Sequence, residues 1–380
     1  MFINFCLFAT FFLFSFGQLG RISFFNQEIN LYTYDIVLSF TFLIFLFKYR
    51  FKPIQQVFKK YKIIFFFISS LFFSFLLRIL QFNWNQNIIS FLYFTRFVTY
   101  ILYFLYLHYH LKKNNDQILS KTVRLFFLIT IISSFIQYFF YSDLQNLVYL
   151  GWDPHYHRMF GVFLDTSIAA AIYGLSFLFI LLSRFNSLAL MFLVSLILTF
   201  SRSSYIALFI SLFYLFLTKK IIRYTLLVVL LFFLLFLLVP KEFGQGVGLT
   251  RTFSISSRIF DYQQGIQIWS RNPIFGIGYN RLRYIREELK LLGQMKVPSH
   301  AASGLSSSYL IILICGGIIG LGFFIASIVS LIKMNREIAT MVIFIAVLSF
   351  FDNVFLHPFV LFLLGSFLCS LSLPSGRLRK

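Results

Sequence analysis

Apolar residues fall along this chain in long unbroken blocks rather than at every third or fourth position, and short polar breaks separate the blocks. They cover roughly 2–19, 31–47, 63–81, 88–107, 124–141, 166–183, 187–201, 203–218, 224–239, 307–328, 337–352 and 358–374. A hydrocarbon layer ~30 Å thick needs ~20 helical residues to cross it, and inside it a backbone must satisfy its own hydrogen bonds. The pattern therefore predicts an all-α, polytopic integral membrane protein of about 12 transmembrane helices, alternating in direction. The first block, MFINFCLFATFFLFSFGQLG, has neither a basic leader nor a small-residue cleavage pattern, so it is expected to remain as the first span. A soluble chain of this length would show amphipathic periods and charged faces, and none are visible. The reading is one membrane domain over 1–380, with a single long polar interval, 240–306, between the ninth and tenth spans. That interval is far longer than a connector requires and is expected to be the catalytic or binding element.

Charge sharpens the topology. The chain carries 33 Lys and Arg against 12 Asp and Glu, a formal charge of +21. Such an excess invites a nucleic-acid partner, but its placement argues against one. With alternating spans, 19 of the basic residues fall on one face, among them Lys48, Arg50, Lys52, Lys112, Lys113, Lys219, Lys333, Arg336 and the terminal Arg377, Arg379 and Lys380. The positive-inside rule makes that face cytoplasmic and puts both termini there. The partners this leaves are membrane lipids, not nucleic acid. No phosphate-binding loop of the G-x-x-x-x-G-K-[ST] kind exists, and Gly276-Ile277-Gly278 lacks the third glycine of a dinucleotide turn. Cys6, Cys315 and Cys369 lie inside apolar blocks without ligand or disulfide spacing.

The opposite, extracytoplasmic face receives the 142–165 loop, the Ser201-Arg202-Ser203-Ser204 hairpin, the 240–306 interval and the 352–358 turn. Arg202 interrupts an apolar run from Leu188 to Leu217. An arginine at membrane depth costs ~2.5–3.5 kcal/mol, so it faces a polar partner, for which phosphate is geometrically suited, or snorkels at the hairpin tip. Within 240–306, SSRIFDYQQGIQIW reads as a short helix lying on the membrane, with Ile259, Tyr262, Ile266 and Trp269 on one face and Asn272-Pro273 ending it. Arg258 stands near its start, where backbone N–H groups attract anions, or is simply solvated. Arg271, Arg281, Arg283 and Arg286 are expected to face solvent or headgroups. His300 is a candidate general base or an ordinary surface histidine. In Trp152-Asp153-Pro154-His155-Tyr156-His157-Arg158, the His-x-His spacing lacks a third firm ligand, so no metal is expected. Asp153, His155, Arg158 and Asp165 are candidates for substrate binding, and Thr166 or Ser167 for capping the sixth span. Arg78 and Arg96 sit in apolar runs, and Arg96 is the better candidate for a substrate contact or a structural ion pair. Asp352 and His357 are placed on the same outer vestibule. Ser306 to Tyr309 opens the tenth span, where Cys315-Gly316-Gly317-Ile318-Ile319-Gly320 offers a small-residue packing face.

Taken together these segments resemble the O-antigen ligase and polymerase superfamily of bacterial membrane glycosyltransferases. The resemblance rests on Ser201-Arg202-Ser203, Arg258 opening the outer helix, and the N-P-x-x-G-x-G turn at Asn272 to Gly278. It rests also on the histidine-bearing stretch from His300 to Gly320, and on Arg158 to Asp165. It implies transfer of a glycan from an undecaprenyl-pyrophosphate carrier to a glycan, lipid or protein acceptor, outside the bacterial cytoplasmic membrane and without cofactor or metal. On that analogy Arg202 and Arg258 clamp the pyrophosphate, His300 is the base, and Tyr309 belongs to the Tyr-Leu pair opening the span. Many members place His-Asn directly before that pair. Here His300 stands well upstream, and Asp153, His155 or Asp165 are alternatives for the base. The competing reading is a flippase for lipid-linked saccharides, which should carry its charges along a path reaching both faces.

Overall fold

The computed structural model describes residues 2–25, 27–114, 118–183, 187–219, 252–291 and 304–372. The expected ninth span, most of the first part of the 240–306 interval and His300 lie outside the described residues. The described chain is helical apart from one small hairpin. Helix α1 (Phe2–Phe14) connects through strands β1 (Arg21–Phe24) and β2 (Ile29–Tyr32) to α2 (Thr33–Tyr49). The strands are antiparallel, with Arg21 opposite Tyr32 and Phe24 opposite Ile29. There follow α3 (Lys52–Leu77), α4 (Trp84–Asn114), α5 (Ile118–Phe140), α6 (Thr166–Ser183), α7 (Ser187–Leu198) and α8 (Arg202–Lys219). Beyond them come α9 (Phe253–Trp269), α10 (Leu282–Glu288), α11 (Ser308–Ile332), α12 (Arg336–Phe351) and α13 (Pro358–Leu371).

Helices α4, α5, α6 and α11 are long and apolar enough to cross a membrane, and α1, α7, α8, α13 and the Tyr61–Leu77 part of α3 are shorter apolar helices. Their apolar character runs all the way round. In α4 only 33% of the most apolar window is buried, so most of that surface needs a nonaqueous neighbour. Phe8, Phe12, Phe72, Ile132 and Ile136 are likewise exposed on the outside of the bundle. Inside, Phe14 packs its ring 5.2 Å from Tyr34 and 4.5 Å from Phe362, joining α1, α2 and α13. Tilted and edge-on arrangements of this kind stabilise by ~0.5–1.5 kcal/mol each beyond burial. This is a membrane protein whose core interleaves aromatic rings with aliphatic side chains.

Helix α11 is broken where the sequence suggested only a packing face. Gly317 has φ 63° and ψ −166° inside it. The break leaves carbonyls without helical partners, and the Asn272-to-Gly278 turn fills the gap. Ile277 N–H donates to Ile314 O at 2.9 Å, Gly278 N–H to Cys315 O at 3.0 Å, and Ile318 N–H to Pro273 O at 2.9 Å. From α3, Ser74 Oγ donates to Cys315 O at 2.6 Å. Gly276 is required at the same junction, since a Cβ there would stand 2.4 Å from Ile314 O. The small residues therefore admit a backbone, not a neighbouring helix alone.

The connections α1–α2, α3–α4, α5–α6, α7–α8 and α12–α13, together with α9 and α10, gather at one end. Tyr93 Oη of α4 donates to Glu28 O and accepts from Asn30 N–H, both at 3.0 Å, fastening the hairpin down. Phe163 of the α5–α6 connection packs on Phe359 of α13. Lys48, Arg50, Lys112, Lys113, Lys333 and Arg336 sit at helix termini of the other end.

Candidate functional site

The polar centre of the gathered end is Asp352, the residue following α12. Arg258 of α9 reaches it with Nη2 at 3.0 and 3.2 Å from the two carboxylate oxygens, and its Nε donates to Phe351 O at 2.9 Å. Ser203 Oγ, in the first turn of α8, donates to Asp352 at 2.6 Å, and Ser167 Oγ of α6 at 3.1 Å. Three segments distant in sequence thus converge on one carboxylate. The pair is partly open: the side chains are 25% and 13% exposed. The turn before α8 runs over Thr199 to Ser201, with Phe200 left-handed at φ 51°, so Arg202 is the first helical residue rather than part of the hairpin tip. It is half-buried, one residue from Ser203.

Arg158 is held to the same turn by donating from Nε to Thr199 O at 2.8 Å, beside the Met159 N–H bond to Leu198 O at 2.8 Å. Asp165, and neither Thr166 nor Ser167, caps α6: its Oδ1 accepts from Ser167 N–H at 2.7 Å and Ile168 N–H at 2.9 Å. Burial pushes the Asp165 carboxyl above the ordinary carboxylate range, and the nearby Asp352 charge adds to this, while the capping bonds and Arg158 oppose it. Arg258 pairs with Asp352 and Arg158 acts on Asp165, while Arg202 stands one residue before the Ser203 that reaches Asp352. Such an arrangement can hold a phosphate group by bidentate hydrogen bonds.

The remaining candidates are distributed around this centre. Asp153 is exposed and His155 half-buried in the α5–α6 connection, with the His155 ring 6.2 Å from that of Phe160. Tyr309 stacks on Phe350 at 4.3 Å, in the seam between α11 and α12. Near His300 the flanking chain is tied to α9 and α10: Leu291 O accepts from Gln264, Gly304 O from Arg286, and Ser306 bonds to Asp261. Arg281, Arg283 and Arg286 are not solvated as expected but are 0%, 6% and 7% exposed. Arg281 donates to Phe75 O and Asn87 Oδ1 and stacks 4.1 Å from the Phe75 ring; burial lowers its pKa to about 10. The packing energy of its flat guanidinium on aromatic faces offsets that desolvation. No cluster of three or more His, Cys, Asp or Glu suited to a metal occurs among the described residues.

Arg96 of α4 pairs with Asp35 at 2.7 Å and donates to Asn30 O at 3.1 Å. Tyr100 Oη also donates to Asp35, and Tyr32 N–H does so at 2.9 Å. Asp35 is 4% exposed. Removing Arg96 would leave a buried charge without its counter-ion, which typically costs ~3–5 kcal/mol. Arg96→Ala is accordingly expected to melt well below the wild type in detergent, and Arg96→Ala/Asp35→Asn to recover part of the loss. An unchanged melting temperature in the single variant would contradict a structural role for the pair.

Beside the 352–357 connection lies a cavity of about 270 Å³, walled by the hairpin, α4, the 279–282 stretch and that connection, with Arg96, Asn353 and His357 on its surface. His357 Nδ1 accepts from Phe359 N–H, capping α13. Asp352 and Asn353 thus place the arginine cluster and the cavity on adjoining residues of one turn.

Residues 187–325 match the family model described as O-antigen ligase. Over this stretch the chain is similar to the O-antigen ligases, which supports a place in that superfamily. The matched stretch contains Arg202, Arg258, the Asn272-to-Gly278 turn and the Gly317 break, so the O-antigen ligase signature coincides with the elements that build one wall of the cluster. No curated protein matches the chain. Asp352, which closes the cluster, lies beyond the matched segment; its polar turn placed it on the outer vestibule but did not mark it as the partner of Arg258.

Proposed function

We propose that this protein transfers a glycan from an undecaprenyl-pyrophosphate carrier to an acceptor hydroxyl at the extracytoplasmic face of the bacterial cytoplasmic membrane, as a surface-polysaccharide ligase or polymerase. The observation that carries this reading is the convergence of the Ser201-Arg202-Ser203 turn and Arg258 of α9 on one carboxylate at one end of the bundle. Pyrophosphate leaves readily once its charge is held, and arginines fixed on helix ends can hold it without a metal. In this reading Asp352 keeps Arg258 poised until the donor's phosphates compete for it. The acceptor hydroxyl then needs orientation and a base, for which His300 is proposed, with Asp165, Asp153 or His155 as alternatives; such a base contributes ~10²–10⁴-fold. In-line attack at the anomeric carbon inverts its configuration. The basic helix ends opposite the cluster support a cytoplasmic placement of both termini.

A flippase is less well supported, because the arginine–carboxylate cluster lies at one end of the described bundle rather than along a path through it. The deciding experiment supplies purified protein with a lipid-linked oligosaccharide and a hydroxyl acceptor in detergent. Glycosylated acceptor and free undecaprenyl pyrophosphate, undiminished by EDTA, are expected. Movement of labelled lipid-linked saccharide across liposomes without any transfer would overturn the enzyme reading.

A further inference from the structure

The cavity beside the 352–357 turn has a composition the phosphate chemistry does not use. Its walls carry the aromatic rings of Tyr93 and Tyr279, the side-chain amides of Gln18, Asn280 and Asn353, and Arg21, with no Asp or Glu among the lining residues. Gln18 is 8% exposed, yet its Oε1 has no hydrogen-bond partner. A buried amide oxygen left without a donor costs ~1–3 kcal/mol, which a ligand hydroxyl would relieve. The Arg21 guanidinium donates from Nε to Ser23 Oγ at 2.9 Å and from Nη2 to Gln27 Oε1 at 2.7 Å, both neutral partners. Its plane also faces the Trp152 ring at 5.6 Å. Among the described residues no carboxylate pairs with it, in contrast to Arg96, whose charge Asp35 takes.

We propose that this cavity is a subsite for a single acidic sugar ring, its carboxylate held by Arg21 and its hydroxyls by Gln18, Asn280 and Asn353. Aromatic rings offer flat apolar faces to the C–H side of a pyranose, and amides supply both donors and acceptors to its hydroxyls. A volume of about 270 Å³ suits one ring rather than a chain. Asn353 follows Asp352 directly, so a sugar here would lie next to a pyrophosphate held at the arginine cluster. The inference rests on the glycan-transfer reading for which sugar this is: the one carried by the donor or one on the acceptor.

The probe is D-glucuronate, with D-glucose, acetate and inorganic phosphate as comparisons, observed by ligand NMR on the purified full chain in detergent. Glucuronate is expected to bind better than each of the others. Arg21→Ala and Gln18→Leu should each weaken it by about tenfold or more, the loss expected for a charge-assisted or buried hydrogen bond, and Arg21→Lys by less. Arg258→Ala, outside the cavity lining, should weaken it less than Arg21→Ala does. Equal binding of acetate or phosphate would overturn the proposal in favour of a general anion or lipid-headgroup site. Equal binding of glucose, or loss only in Arg258→Ala, would also overturn it. In the transfer assay, competition by glucuronate against the acceptor or against the donor assigns the sugar to that partner. Transfer without Arg21-dependent glucuronate binding refutes the subsite alone; such binding without transfer refutes the glycosyltransferase reading alone.

Discussion

Arg258→Ala is expected to lower glycan transfer by about 10²–10³-fold, the usual loss when one fixed donor to a developing oxyanion is removed. The same substitution strips Asp352 of its counter-ion, so some loss of stability will accompany it. Because the pair is partly exposed, that loss should fall below the ~3–5 kcal/mol of a fully buried pair. The two effects separate in the double variant Arg258→Ala/Asp352→Asn. If Arg258 only fastens α9 to the turn after α12, removing both charges restores melting temperature and transfer together. If it binds the donor's phosphates, melting temperature recovers and transfer does not. Arg258→Lys, which keeps charge but not the two-pronged grip, should retain a small part of the activity. Wild-type turnover in a folded Arg258→Ala protein would remove the clamp.

How far the sequence exposed this arrangement depended on the kind of signal each element carries. Lipid-facing helices announce themselves by unbroken apolarity, so the described segments of the expected spans are helical, and α9 was legible from Ile259, Tyr262, Ile266 and Trp269. Arg202 and Arg258 stood out because a charge in or beside an apolar run needs a reason. Asp352 was placed on the outer vestibule but not as their partner, since a single aspartate in a polar turn looks the same whether it faces water or gathers three segments. Arg281, Arg283 and Arg286 misled for the converse reason. Their spacing reads as a solvated helix, and only the fold reveals that Phe75, Asn87 and Gly304 O receive two of them in the interior. Asp35 likewise passed unnoticed at the start of α2, although Arg96 called for a counter-ion; pairing across 61 positions is invisible to local pattern. The cavity is less legible still, because its walls come from the hairpin, α4, the 279–282 stretch and the turn after α12.

Gly317→Ala should be the most damaging single substitution for folding outside the arginine cluster. With φ 63° and ψ −166°, Gly317 occupies a region essentially closed to residues bearing a Cβ, at a cost of ~1–3 kcal/mol before any contact is counted. A Cβ there would also stand 2.1 Å from Ile274 O and 2.6 Å from Phe275 N, and backbone atoms cannot swing aside as a side chain can. Relief requires either straightening α11 or expelling the Asn272-to-Gly278 turn. Both would strand the bonds from Ile277, Gly278 and Ile318 in an apolar surrounding, where unsatisfied backbone groups are expensive. The turn that would move is the C-terminal continuation of α9, so Arg258 would lose its footing along with it. Gly317→Ala is therefore expected to yield little folded protein in detergent, and what folds should transfer poorly. Gly322→Ala, at a position of the same helix with open space around it, is the control expected to behave as wild type. Equal melting temperatures for the two variants would mean that the break in α11 is not what seats the turn.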